Sequence, residues 1–210
     1  MPCWSIHLGV CSEVNKKFKL DNDLILFGSI LPDFLDRSYS HYYDGGPLPN
    51  FDLFLNKFKD NINNPLVIGY YIHLLTDYYY NDYIYSKSFI YKDDKLIGIK
   101  LFNGKIIESN DFHYCRRIKQ DDFKNYGSYL INNNMLDYPK DYNKIYRSIQ
   151  ELGFSIDKDK VIDKVNYFNT DDFLKYNSYN GYLLFDKDIY DRLYEECINF
   201  IIEKINDINL

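Results

Sequence analysis

No apolar run in this sequence reaches the roughly 20 residues that a bilayer-spanning helix needs. The longest, LILFGSILPDFL at 24–35 and LVIGYYIHLL at 66–75, are interrupted by Pro32 and His73. The opening MPCWSIHLGVCSEVNKKF lacks the charged start and apolar core of an export signal, so a soluble cytoplasmic protein with no transmembrane segment is expected. Cysteine is scarce, and Cys3, Cys11, Cys115 and Cys197 include no close-spaced pair. That spacing excludes a zinc ribbon or a disulfide framework and fits reduced thiols. Positive charge is in deficit too: 25 Lys and Arg against 31 Asp and Glu leave a formal charge of -6. Stable nucleic-acid binding or adsorption to an anionic membrane needs clustered cations, so neither is expected. No phosphate-cradling glycine loop, nucleophile elbow or dinucleotide fingerprint occurs.

What remains is a chain of 210 residues, 46% hydrophobic, with 23 Tyr and 15 Phe. It is long enough to bury one core without cross-links, and no repeat or linker divides it, so 1–210 is expected to be a single domain. Ile6, Val10, Val14 and Phe18 recur every four residues, which predicts a helix over about 4–18. A second helix is expected to start at Asp21 to Asp23 and to be stopped by Pro32, leaving Asp33 at the break. Residues 36–50, which end in Gly45, Gly46, Pro47 and Pro49, read as a loop or short helix closing in turns. A short helix near 51–58 precedes a long one that begins after Asn63, Asn64 and Pro65. Asp-Asp-Lys and Asn-Gly turn signals between β-prone runs predict a small β-hairpin inserted at 89–107. Helical spacing returns at 111–131, 142–154 and 188–205. The acidic pairs Asp93/Asp94, Asp121/Asp122 and Asp171/Asp172 read as turns or helix starts.

The histidines number four, and three of them, His7, His41 and His73, precede residue 80. On a helix, His73 and Asp77 share one face, so imidazole and carboxylate can reach for a common metal ion or for each other. About one residue in seven is acidic, so this pair taken alone fits a hydrogen-bonded core histidine better than a metal ligand. Five donors, His7, Asp33, His41, His73 and Asp77, can converge if the helices pack together, and imidazole with carboxylate is a zinc-type donor set. The Tyr run 78–80, with Tyr70 and Tyr71, either packs between helices or lines a cleft. His113 either lies on a solvated helix face or contacts a phosphate together with Arg116 or Arg117.

Taken in order, WSIH at 4–7, FGSILPDF at 27–34, SHY at 40–42 and GYYIHLLTDY at 69–78 resemble the zinc-dependent phospholipase C family, which is related to the single-strand-specific zinc nucleases. The likeness covers about the first 85 residues and is greatest to its small bacterial members. It implies an all-α bundle of the phospholipase C and zinc nuclease type, with the β-hairpin as an insertion, holding one or two zinc ions between helices. Asp33, His41, His73 and Asp77 match positions that enclose one ion. Asp77 matches a residue that bridges to a second ion, which His7 also ligates, and Asp33 matches a residue with a catalytic general-base role. The implied activity is cleavage of a phosphoester, either a phospholipid or a small phosphodiester, by attack of zinc-bound water.

The sequence departs from that pattern at two places. Trp4, which begins the mature chain in secreted relatives and ligates zinc through its amine, here follows Met1, Pro2 and Cys3. Cys3 either substitutes as a ligand or is a buried thiol. The later histidines and H-x-x-x-E pair that hold a third ion are missing. The alternative is therefore a non-catalytic helical binding protein that keeps the scaffold with a structural zinc or no metal.

Overall fold

The computed structural model describes residues 2–36, 40–46, 48–168, 170, 173 and 181–208. Among them are eight α-helices: α1 (Trp4–Phe18), α2 (Asn22–Gly28), α3 (Phe51–Phe58), α4 (Pro65–Ser88), α5 (Phe112–Asn132), α6 (Tyr142–Glu151), α7 (Lys158–Tyr167) and α8 (Lys187–Asp207). A 3₁₀ turn, Leu31–Phe34, follows α2. The protein is mostly helical, as expected, with one small antiparallel sheet. No helix among the described residues is long and apolar enough to cross a membrane.

Short polar side chains fix most helix starts by accepting otherwise orphaned backbone N–H groups. Asp21 accepts from Leu24, Asn50 from Asp52 and Leu53, and Asn64 from Leu66 with Pro65 behind it. Asp111, Asp141 and Asp186 do the same for α5, α6 and α8. The helix at 4–18 and the long helix after Pro65 form as the spacing predicts. The helix over 158–167 has no counterpart in the sequence expectations, because only Val161 and Val165 are buried on it and its apolar stripe is too narrow to stand out.

The stop expected at Pro32 falls earlier. α2 ends at Gly28, and Pro32 opens the 3₁₀ turn instead. Gly28 and Gly69 lie where α2 crosses α4, so closely that a Cβ on Gly28 would collide with the Leu66 carbonyl and one on Gly69 with the Ile25 carbonyl. Both residues must be glycine for the backbones to meet. That crossing sets Ser29 directly beside the middle of α4.

The predicted hairpin at 89–107 is a three-stranded meander: β1 (Phe89–Lys92), β2 (Lys95–Lys100) and β3 (Ile106–Glu108), in the order β1-β2-β3. β1 and β2 join through Asp93 and Asp94, whose φ values of 49° and 58° match a tight primed turn. Asn103 and Gly104 turn the chain between β2 and β3 within the five-residue connection 101–105, so the insertion holds three strands rather than two and ends one residue later than expected.

Of the other acidic pairs, Asp121/Asp122 sits inside α5 and is neither a turn nor a helix start. Asp122 is buried and accepts from the backbone N–H groups of Leu183 (2.8 Å) and Leu184 (2.7 Å) and from the Tyr190 hydroxyl (2.9 Å). It ties the approach to α8 onto α5. Asp171 and Asp172 lie outside the described residues. Tyr70, Tyr71 and Tyr80 are buried between helices, and Tyr78 and Tyr79 pack against Phe200, so the tyrosines are packing groups.

Candidate metal centre

The five expected donors come together although they belong to four separate parts of the chain. His7 comes from α1, Asp33 from the 3₁₀ turn, His41 from the segment beyond it, and His73 and Asp77 from α4. His73 Nε2 lies 3.3 Å from His41 Nε2 and 3.7 Å from Asp77 Oδ2. His41 Nε2 is 3.5 Å from Asp33 Oδ1 and 3.8 Å from Asp77 Oδ2, while His7 Nε2 is 3.5 Å from Asp77 Oδ1. The rings of His7 and His73 stack with centroids 4.0 Å apart.

These separations are longer than good hydrogen bonds to a carboxylate. Two ligands on a tetrahedral zinc with bonds of about 2.0–2.1 Å sit roughly 3.3 Å apart, so the spacing is compatible with atoms facing a cation. Two triplets, His7/His73/Asp77 and Asp33/His41/His73, each bring three ligand atoms within 4.8 Å of one another, close enough to hold a metal ion. His73 belongs to both.

The outer contacts orient these donors. The Ser29 carbonyl can only accept, so the 2.8 Å contact puts a proton on His73 Nδ1 and leaves a lone pair on Nε2, aimed inward. Ser40 Oγ holds His41 Nδ1 at 2.8 Å, and the Ser40 carbonyl accepts from the Tyr70 hydroxyl at 2.7 Å. The indole N–H of Trp4 donates to Asp33 Oδ2 at 2.8 Å, which turns Oδ1 toward the cluster.

Other atoms have no such support. His7 Nδ1 and Nε2 and both carboxylate oxygens of Asp77 are buried without a hydrogen bond among the described residues. Buried polar groups are nearly always paired, and an unpaired one costs about 1–3 kcal/mol. A cation among them satisfies Asp77 and one nitrogen of His7 at once, so the residues fit a metal.

Electrostatics inside the cluster point the same way. Burial, with the neighbouring His7, lowers the His73 imidazole to about 3, so the ring is neutral and competent as a ligand. At Asp77 burial pushes the carboxyl up, but His7 and His73 outweigh it and hold the group well below the usual carboxylate range. Asp33 is lowered against burial by His41, His73 and His7.

One wall of the cluster is open. The side chains of His7, His73 and Asp77 are 0% exposed and His41 1%, whereas Asp33 is 12% exposed. Asp33 lines a cavity of about 380 Å³ shared with Trp4, Arg116, Gln120, Lys124 and Tyr167. Arg116 thus takes the cavity position, while His113 and Arg117 are solvent-exposed, with Arg117 lying over the Tyr114 ring.

Cys3 does not join the donors. Its thiol donates to the Phe123 carbonyl at 3.1 Å and presses on Gly127, and burial raises its pKa, so it is a packing thiol. Sequence reasoning missed the Trp4 indole as a support for Asp33, because nothing local marks a contact spanning 29 residues. It also missed Gln120 and Lys124, although Arg116, Gln120 and Lys124 recur at four-residue spacing, which was the available signal.

No protein-family model matches the chain, and no curated protein or solved structure matches it. What the fold and site define is a mostly helical protein with a buried His/Asp cluster that could hold a metal ion. Any closer kinship rests on the quoted motifs alone.

Proposed function

We propose that this chain is a zinc-dependent hydrolase that cleaves a phosphoester, resembling the zinc-dependent phospholipase C family in its first 85 residues. The observation that supports this most is the placement of five N/O donors in two adjoining triplets that share His73, with Asp33 alone of the five lining a cavity. His7, Asp33, His41, His73 and Asp77 would hold one or two zinc ions, with Asp77 central because its two oxygens face three different imidazoles. Zinc in such a site supplies a water of lowered pKa, towards about 7, and offsets charge building on phosphoryl oxygens.

The chain's own groups do the rest. Trp4 fixes the Asp33 carboxylate, which among the described residues is the one acidic group lining the cavity and placed to take a proton there. The Ser29 carbonyl holds His73 in the tautomer of a ligand, and the Ser40 hydroxyl orients the His41 ring. Arg116 and Lys124 lower the cost of bringing a phosphate anion to an acidic protein.

Elemental analysis should find one to two zinc ions per purified chain, and turnover of bis-p-nitrophenyl phosphate should vanish with chelator and return with added zinc. A protein that takes up zinc but shows no cleavage would instead be the non-catalytic scaffold with a structural ion. One that takes up no zinc and stays inert would lose the hydrolase assignment altogether.

A further inference from the structure

The cavity beyond Asp33 has two unlike walls. One is a face of α5 carrying Arg116, Gln120 and Lys124 at successive four-residue steps, the spacing that aligns side chains on a helix. The other is aromatic, formed by Trp4 and Tyr167, whose rings meet edge to face with centroids 5.9 Å apart. Behind both lies the donor cluster, reached through Asp33. Arg116 and Lys124 thus put two cations on one cavity wall of a chain whose formal charge is -6. Lys124 also approaches Asp121 Oδ1 at 3.7 Å, but that pair is exposed, and such pairs contribute little.

The spacing constrains the ligand. Arg116 and Lys124 are eight residues apart, so their Cα atoms lie about 12 Å from each other along the helix. A row of that length suits an extended ligand with separated charges better than one isolated phosphate. A guanidinium fork matches phosphate or carboxylate oxygens in a bidentate way, and an ammonium adds a point charge. The volume of about 380 Å³ is at the lower end for small organic ligands, roughly 300–1,000 Å³. Trp4 and Tyr167 offer apolar surface to a flat ring.

We propose that Arg116, Gln120 and Lys124 form an anion subsite that selects small phosphoesters bearing a ring and a second negatively charged group, and that disfavours substrates with a cationic arm. The role as a substrate subsite rests on the hydrolase assignment above; the anion preference does not need it. In this arrangement the phosphoryl group to be cleaved lies at Asp33, and the second anion lies along the α5 wall.

Calorimetry on the zinc-loaded protein tests it with two defined probes, thymidine 3′,5′-bisphosphate and thymidine 5′-monophosphate. The bisphosphate should bind at least about tenfold more tightly. In R116A/K124A, with zinc content matching the wild type to show an intact fold, the two probes should bind within about twofold of each other, whereas R116K/K124R should keep most of the preference. Equal binding by the wild type, or a preference that survives in R116A/K124A, would overturn the subsite. Turnover of bis-p-nitrophenyl phosphate is scored separately. A protein that prefers the bisphosphate without cleaving any ester keeps the subsite and loses the hydrolase assignment, and one that cleaves without preference does the reverse.

Discussion

Replacing His73 by Ala should abolish the stabilisation that zinc gives the protein. At a zinc concentration near 1,000 times Kd, binding adds about 4.1 kcal/mol to the wild type. For a chain of this size each kcal/mol moves Tm by roughly 2–4 °C, so the wild-type melting point should rise by about 8–16 °C. His73 is the one residue common to both triplets, so the H73A protein should show no measurable rise and no retained zinc. His7→Ala and Asp33→Asn each strike a single triplet. A loss of about a hundredfold in affinity would leave the same zinc at about 10 Kd, worth about 1.4 kcal/mol, so a shift of roughly 3–6 °C should remain. Calorimetric melting with and without zinc, paired with elemental analysis, gives the result. If H73A keeps the wild-type zinc content and shift, the ion binds elsewhere and the histidine cluster is not the metal centre.

Gly69→Ala should be the most damaging conservative change in the fold. The added methyl would strike the Ile25 carbonyl and come within 2.9 Å of the Ser29 amide, all backbone that cannot swing aside. Helix α2 must then move off α4, at about 3 kcal/mol or more, the upper end for overpacking. Tm should fall by roughly 6–12 °C. Because Ser29 accepts the Nδ1 proton of His73, that displacement should also lower zinc uptake, a readout that loss of stability elsewhere would not move. Gly46→Ala, where a methyl meets only open space, is the control and should change stability by less than about 0.5 kcal/mol. A G69A protein that melts like the wild type would mean that the two helices have room to spare.

Much of this was legible before any coordinates. Four-residue apolar spacing located α1, and Asn64 with Pro65 located the start of α4, because capping and periodicity are local properties. Each of the five donors stands beside such a local cue, a helix face, a proline break or a glycine-rich turn, but they were named as one set on the motif resemblance. Other features depend on long-range contacts and were not readable. Gly28 and Gly69 look like ordinary helix residues until α2 is laid across α4. Asp122 resembles a helix-start acid, yet its partners are amides more than 60 residues away. The Trp4 indole could be paired with Asp33 only after α1 and the 3₁₀ turn had been packed side by side.

That last contact gives the protein a built-in optical probe. Trp4 is the sole tryptophan of the chain, so its emission has one source, and its ring nitrogen is bonded directly to a carboxylate at the mouth of the cluster. A divalent ion drawing charge away from Asp33 should shift that emission, and the Asp33→Asn protein, with no charge there to draw on, should show a smaller shift at saturating zinc. Occupancy of the centre can thus be followed by eye of a fluorimeter, in unlabelled material, without relying on any substrate.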